Sequence, residues 1–81
     1  MAAAQSKPSR PLRLYGRAGC HLCETMARTL RAFGVAFEER DVDADPVLAR
    51  RYGERVPVLT DAAGTELCQG RLEPAVLQLF R

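Results

Sequence analysis

The sequence predicts an α/β sandwich in the order β-α-β-α-β-β-α, a four-stranded mixed sheet flanked by three helices. Three observations carry this expectation. Apolar and polar residues alternate through Leu12-Arg13-Leu14-Tyr15-Gly16, the period of a strand with one buried face. From Cys20 a helical period takes over, and beyond Gly34 short apolar runs alternate with turn residues and helix caps.

Each element follows in turn. After the first strand, Arg17-Ala18-Gly19 reads as a loop. Leu22, Met26, Leu30 and Phe33 then recur at steps of four, four and three, one apolar stripe with Glu24, Arg28 and Arg31 off it. Gly34 sits where a helix C-cap needs positive φ. Val35 to Val42 reads as a second strand, although Phe37 and Val42 have opposite parity. Asp45-Pro46 is an N-cap with Pro at the first helical position, opening a short helix through Tyr52 that Gly53 closes. Val56 to Thr60 is a third strand, Asp61-Ala62-Ala63-Gly64 a turn, and Thr65 to Cys68 a fourth strand in hairpin with the third. Glu73 to Arg81 closes the chain as a helix burying Val76, Leu77 and Phe80. The first β-α-β is expected to be a right-handed parallel crossover, and the last two strands antiparallel.

At 81 residues the chain supports one domain. Residues 1–10 read as a flexible N-terminal extension and residues 11–81 as the folded unit. The net charge is +2, but eleven arginines are scattered among acids, with five aromatics and no Trp. Nucleic-acid binding asks for basic charge on one face with aromatics to stack on bases, so the reading is a solvated mixed-charge surface and no nucleic-acid partner. The first ten residues lack the apolar core of a signal peptide, and no stretch is long and apolar enough to span a membrane. The expected setting is therefore a reducing cytoplasm, where closely spaced cysteines serve catalysis or metal binding more often than structure.

Cys20-His21-Leu22-Cys23 lies where a loop turns into the first helix. Backbone N–H groups in a first helical turn have no intrahelical partner, and the helix dipole is positive there. A thiolate at Cys20 can accept those hydrogen bonds, so Cys20 is expected to be nucleophilic without a neighbouring base. Cys23 lies nearly one turn deeper on the same face. The roles follow: Cys20 attacks a substrate disulfide, and Cys23 resolves the mixed disulfide. A c-type haem site needs His after the second Cys, where Glu24 stands. Zinc normally takes four ligands, and three cysteines plus His21 supply them poorly. Two cysteines placed by coincidence are the bland alternative.

These residues resemble a glutaredoxin. Tyr15-Gly16-Arg17-Ala18-Gly19-Cys20-His21-Leu22-Cys23 is similar to the strand, basic residue and active-site CxxC of that family, and Val56-Pro57-Val58 to its cis-proline loop. Cys-His-Leu-Cys, the stretch from Asp43 to Tyr52, and Arg55-Val56-Pro57-Val58-Leu59 resemble a divergent branch of small glutaredoxin-like proteins. The resemblance runs from Leu12 to Arg81 and implies a thioredoxin-like fold of glutaredoxin type. It also implies a cis Val56–Pro57 bond, with the Val56 backbone placed to pair with an extended substrate or with glutathione. Arg17 resembles the basic residue that helps hold the thiolate or a glutathione carboxylate. Gly70 matches one glycine of the family's Gly-Gly pair, but the second glycine and the paired acids are missing, and His21 replaces the usual Pro after the first Cys. His21, counted with the substrate- or glutathione-binding residues, either tunes Cys20 electrostatically when protonated or, the favoured reading, is an exposed helix-start residue. Cys68 reads as a small buried hydrophobe, with glutathionylation or intermolecular pairing near the active-site rim as the alternative, and Tyr15 and Tyr52 read as packing.

The expected function is thus a monomeric dithiol oxidoreductase acting on protein or small-molecule disulfides, with no metal and no tightly bound cofactor. Its electrons would come from glutathione as co-substrate or from a reductase. The resemblance offers an alternative, an iron–sulfur cluster held by Cys20 with glutathione in a dimer. A thioredoxin-fold protein that binds partners without turnover is a third reading.

Overall fold

The computed structural model describes residues 10–79. Strand β1 (Leu12–Gly16) leads into helix α1 (His21–Ala32), strand β2 (Phe37–Asp41), a 3-10 turn (Val42–Ala44) and helix α2 (Pro46–Tyr52). Strands β3 (Val58–Thr60) and β4 (Glu66–Gln69) and helix α3 (Pro74–Gln78) complete the order. The sheet order is β2-β1-β3-β4; β1 is parallel to β2 and antiparallel to β3, and β3 is antiparallel to β4. This is the four-stranded mixed sheet with three helices that the sequence predicts.

Strand alternation sorts the core into two layers. Leu12, Leu14 and Leu59 point to one face and pack with Met26, Ala27 and Leu30 of α1, with Val35, and with Val76 of α3. Tyr15 and Val58 point to the other face and pack with Val42 and with Tyr52 of α2. The rings of Tyr15 and Tyr52 stack with centroids 4.2 Å apart, and burial pushes the Tyr52 hydroxyl pKa up. The pairings Leu14 with Leu59 and Tyr15 with Val58 keep the two layers in register across the centre of the sheet.

Five details depart from the sequence reading. The buried stripe of α1 is Cys23, Met26, Ala27 and Leu30, whereas Leu22 is 52% and Phe33 49% exposed. Positions i, i+3, i+4 and i+7 share one helical face, so taking Cys23 as an apolar position rotates the stripe one residue from Leu22. The parity slip in the second strand has a simple cause: Val42 is not in β2 but in the 3-10 turn after it, buried against α2. β3 begins at Val58, two residues later than expected. β4 runs to Gln69 with a register shift opposite Leu59 and Thr60, where Glu66 rather than Leu67 pairs with Thr60. Helix α3 starts at Pro74, with Val76 buried and Leu77 partly so. The expected end of that helix at Phe80 and Arg81, and residues 1–9 of the N-terminal extension, lie outside the described residues.

The end of α1 shows how local sequence sets the next element. Gly34 adopts φ 71°, its N–H donates to the Arg31 carbonyl at 3.0 Å, and the Val35 N–H reaches back to the Leu30 carbonyl at 3.0 Å. This is a Schellman closure, and Val35 and Leu30 lie in the same apolar cluster. A Cβ on Gly34 would meet nothing within 4 Å, so any cost of adding one lies in the backbone. Gly34→Ala is expected to lower unfolding free energy by about 1–2 kcal/mol, read from urea unfolding midpoints at unchanged slope.

Candidate active site

The loop between β1 and α1 is shaped by its glycines. Gly19 adopts φ 78° at the third position of a turn in which the Cys20 N–H donates to the Arg17 carbonyl at 3.3 Å. A left-handed residue at that position is what a type II turn requires, and glycine adopts it without strain. The turn delivers Cys20 to the N-cap of α1 with extended backbone, φ −92° and ψ 109°. There Cys20 Sγ accepts a hydrogen bond from the Cys23 N–H at 3.1 Å, and the Cys20 carbonyl accepts the Glu24 N–H at 3.1 Å. A sulfur thus takes the place of the Ser, Thr or Asp oxygen that usually satisfies a free N–H at a helix start.

Cys20 and Cys23 are bonded as a disulfide, with Cα atoms 5.2 Å apart. Their surroundings differ: Cys20 is partly exposed, while Cys23 is 7% exposed and faces the sheet. Gly16, the last residue of β1, makes room for the deeper sulfur. A Cβ there would sit 3.0 Å from Cys23 Sγ and 3.1 Å from its Cβ. Behind Cys23 a cleft of about 720 Å³ runs between α1 and the β1–β2 edge. The ion pair between Arg31 and Glu39 spans it.

Arg17 does not stand free beside the sulfur. Its Nε and Nη2 donate to Asp43 Oδ2 and Oδ1 at 3.2 and 2.9 Å, and its Nη1 donates to the Gly53 carbonyl at 3.0 Å. This is a different employment from holding a thiolate or a glutathione carboxylate. The hydrogen bond to Arg17 pulls the Asp43 carboxyl below its ordinary value, and Asp43 in turn raises the guanidinium. Asp43 itself is fixed by an Asx turn, its N–H donating to Asp41 Oδ1 at 2.9 Å. His21 is exposed at the first helical position.

A second group of expected residues assembles around Pro57. The Val56–Pro57 peptide bond is cis, Pro57 is fully buried and Val56 partly so. Gly70, with φ 76°, donates its N–H to the Pro57 carbonyl at 2.8 Å. The structure therefore joins Val56, Pro57 and Gly70 into one unit and Arg17, Cys20 and Cys23 into another. The Arg17–Gly53 bond ties the second unit to the segment that leads into Val56. Cys68 on β4, paired with Leu59 of β3, is half-buried, and burial pushes its thiol pKa up.

Against this geometry the likenesses are informative. The family model described as "Glutaredoxin-like domain (DUF836)" matches residues 11–79. The chain belongs to this glutaredoxin-like family. Among solved structures, it is 37% identical to protein Ne2328 from Nitrosomonas europaea, over 98% of each chain with a TM-score of 0.79. It is 38% identical to target protein XcR50 from X. campestris, over 84% of this chain and 91% of that one, with a TM-score of 0.71. A glutaredoxin from Archaeoglobus fulgidus, 17% identical over 89% of this chain and 86% of that one with a TM-score of 0.61, shares the fold. No curated protein matches the chain. The glutaredoxin-like chain thus has the thioredoxin-like α/β fold, with a CxxC pair at disulfide distance. No helix among its described residues is long and apolar enough to cross a membrane.

Three contributors escaped the sequence reading. Gly16 had a usable signal, a glycine ending a strand four residues before the first cysteine. Asp43 and the Gly53 carbonyl had none, because a partner 26 residues away and a main-chain acceptor leave no periodic trace.

Two outcomes are expected. Gly16→Ala presses a methyl against a buried sulfur, so it should destabilise by about 1–3 kcal/mol in chemical denaturation. The Asp43 carboxyl is depressed in the fold, so its stabilisation is complete above the ordinary carboxylate value of 3.8 and is lost as pH falls through the lower folded value. The melting-temperature gap between the wild type and Asp43→Asn, small because the ion pair is exposed, should hold steady from about pH 7 to about pH 5 and close in more acid solution.

Proposed function

We propose that the chain is a thiol–disulfide oxidoreductase that reduces a protein or small-molecule disulfide through Cys20 and Cys23. The single observation that carries this reading is the asymmetry of the pair. Cys20 is partly exposed and its Sγ accepts an amide hydrogen bond at the helix start, while Cys23 is buried within disulfide reach. In the reduced protein the same N–H and the positive end of α1 favour the Cys20 thiolate over the thiol.

The reaction conserves atoms and electrons. The Cys20 thiolate attacks one sulfur of the substrate disulfide, forming a mixed disulfide and expelling the other sulfur as a thiolate that takes up a proton. Cys23 loses its proton and attacks Cys20 Sγ, forming the Cys20–Cys23 disulfide and releasing the second substrate thiol. Two electrons pass from the protein dithiol to the substrate. Glutathione or a dithiol reductase then returns them, which suits a cytoplasmic setting. The chain works as a monomer, and the backbone of Val56 and Gly70 beside Pro57 is the surface offered to the substrate.

Arg17 bears on the choice of reductant. With its guanidinium engaged by Asp43 and Gly53, it offers a glutathione carboxylate less than the resemblance implies. An iron–sulfur cluster takes four thiolates. Among the described residues no three His, Cys, Asp or Glu side chains group together, so a cluster on Cys20 would need its other ligands from glutathione and a second copy.

The test is turnover of a small disulfide, driven by glutathione with glutathione reductase or by thioredoxin reductase. Cys20→Ser should abolish turnover with either donor, and Cys23→Ser should accumulate a mixed disulfide visible by mass spectrometry. Undiminished turnover in Cys20→Ser would overturn the proposal.

A further inference from the structure

The turn that carries Cys20 is tethered from outside. The Arg17 carbonyl accepts the Cys20 N–H, while the Arg17 side chain makes three hydrogen bonds to parts of the chain 26 and 36 residues away. Two go to Asp43, in the 3-10 turn after β2, and the third to Gly53, at the end of α2. Main chain and side chain of one residue thus link the start of α1 to elements on the opposite face of the sheet.

We propose that Arg17 is a positioning residue, which holds the turn presenting Cys20 Sγ by gripping Asp43 and the Gly53 carbonyl in a planar fork. The proposal rests on Cys20 being the nucleophile of the reaction above. Two considerations favour position over charge. The positive charge is already matched by a carboxylate held in bidentate geometry, which leaves little of it for a sulfur. The ion pair is also largely exposed, with side chains 37% and 55% accessible. Such pairs add little to stability, so the clamp serves local geometry more than the fold. Lysine keeps the charge of arginine but not the fork, and that difference separates the two roles.

The experiment measures the iodoacetamide alkylation rate of Cys20 in reduced protein against pH, following the Cys20 peptide by mass spectrometry. Arg17→Lys and Asp43→Asn are compared with Arg40→Gln, which removes another exposed ion pair, that with Glu38. The clamp predicts that both Arg17→Lys and Asp43→Asn slow alkylation about fivefold, the equivalent of losing roughly 1 kcal/mol of cap hydrogen bonding. Arg40→Gln should keep the wild-type rate, and melting temperatures should stay close across the set. A role through charge predicts the opposite signs: Arg17→Lys would react like the wild type, and Asp43→Asn would react faster because the guanidinium is freed. Either result overturns the proposal. Should Arg17→Lys fail to fold, the near-isosteric Asp43→Asn decides alone. The readout does not depend on turnover, so a wild type that reduces no disulfide would remove the proposed function and leave this comparison intact.

Discussion

A helix cannot bond its own first amide groups, and the site is built on that constraint. The donors at the start of α1 need an acceptor, and the chain supplies a sulfur instead of the usual oxygen. From this follow the partial exposure of Cys20, since an N-cap lies at the helix end, and the burial of Cys23, since three residues of helix turn its side chain toward the sheet. The chemical asymmetry of two identical residues comes from position along one helical turn.

The fold supports that turn from two directions. Beneath it, Gly16 lets β1 pass close to Cys23, so strand and helix meet at a spacing that a single methyl group would disturb. Beside it, the Arg17 fork ties the loop to the far face of the sheet. A second arginine braces the segment leading to Pro57. Arg55 donates to Glu66 and Gln69 on β4 and to the Arg51 carbonyl on α2, and the interaction with Arg55 lowers the Glu66 carboxyl pKa. The two loops bearing the expected site residues are each held by one planar cation.

Much of the architecture was legible because it depends on local rules. The alternation at Leu12–Gly16, the Asp45-Pro46 cap and the glycine after α1 each report on a few neighbouring residues, and each stands where it was expected. The CxxC at the start of α1 was legible for the same reason. What failed was decided at longer range. Leu22 looked apolar and periodic, yet the sheet takes the face that carries Cys23, and the fold chooses between the two stripes. Val42 looked like a strand residue because its burial depends on Tyr52, ten positions later. The partners of Arg17 were invisible because one is a main-chain oxygen and the other belongs to an acidic stretch that reads as solvated surface.

The outermost strand has a bearing on solubility. Among the described residues β2 pairs only with β1, and four of its five residues, Glu38 to Asp41, are charged. An unpaired edge is a template on which another chain's strand can grow. Consecutive charges put a carboxylate or guanidinium on both faces of that rim, so an incoming strand would have to desolvate them. A sheet of this size exposes a large share of its backbone at its margins, and here the composition of one short strand guards one of them against fibrous self-association.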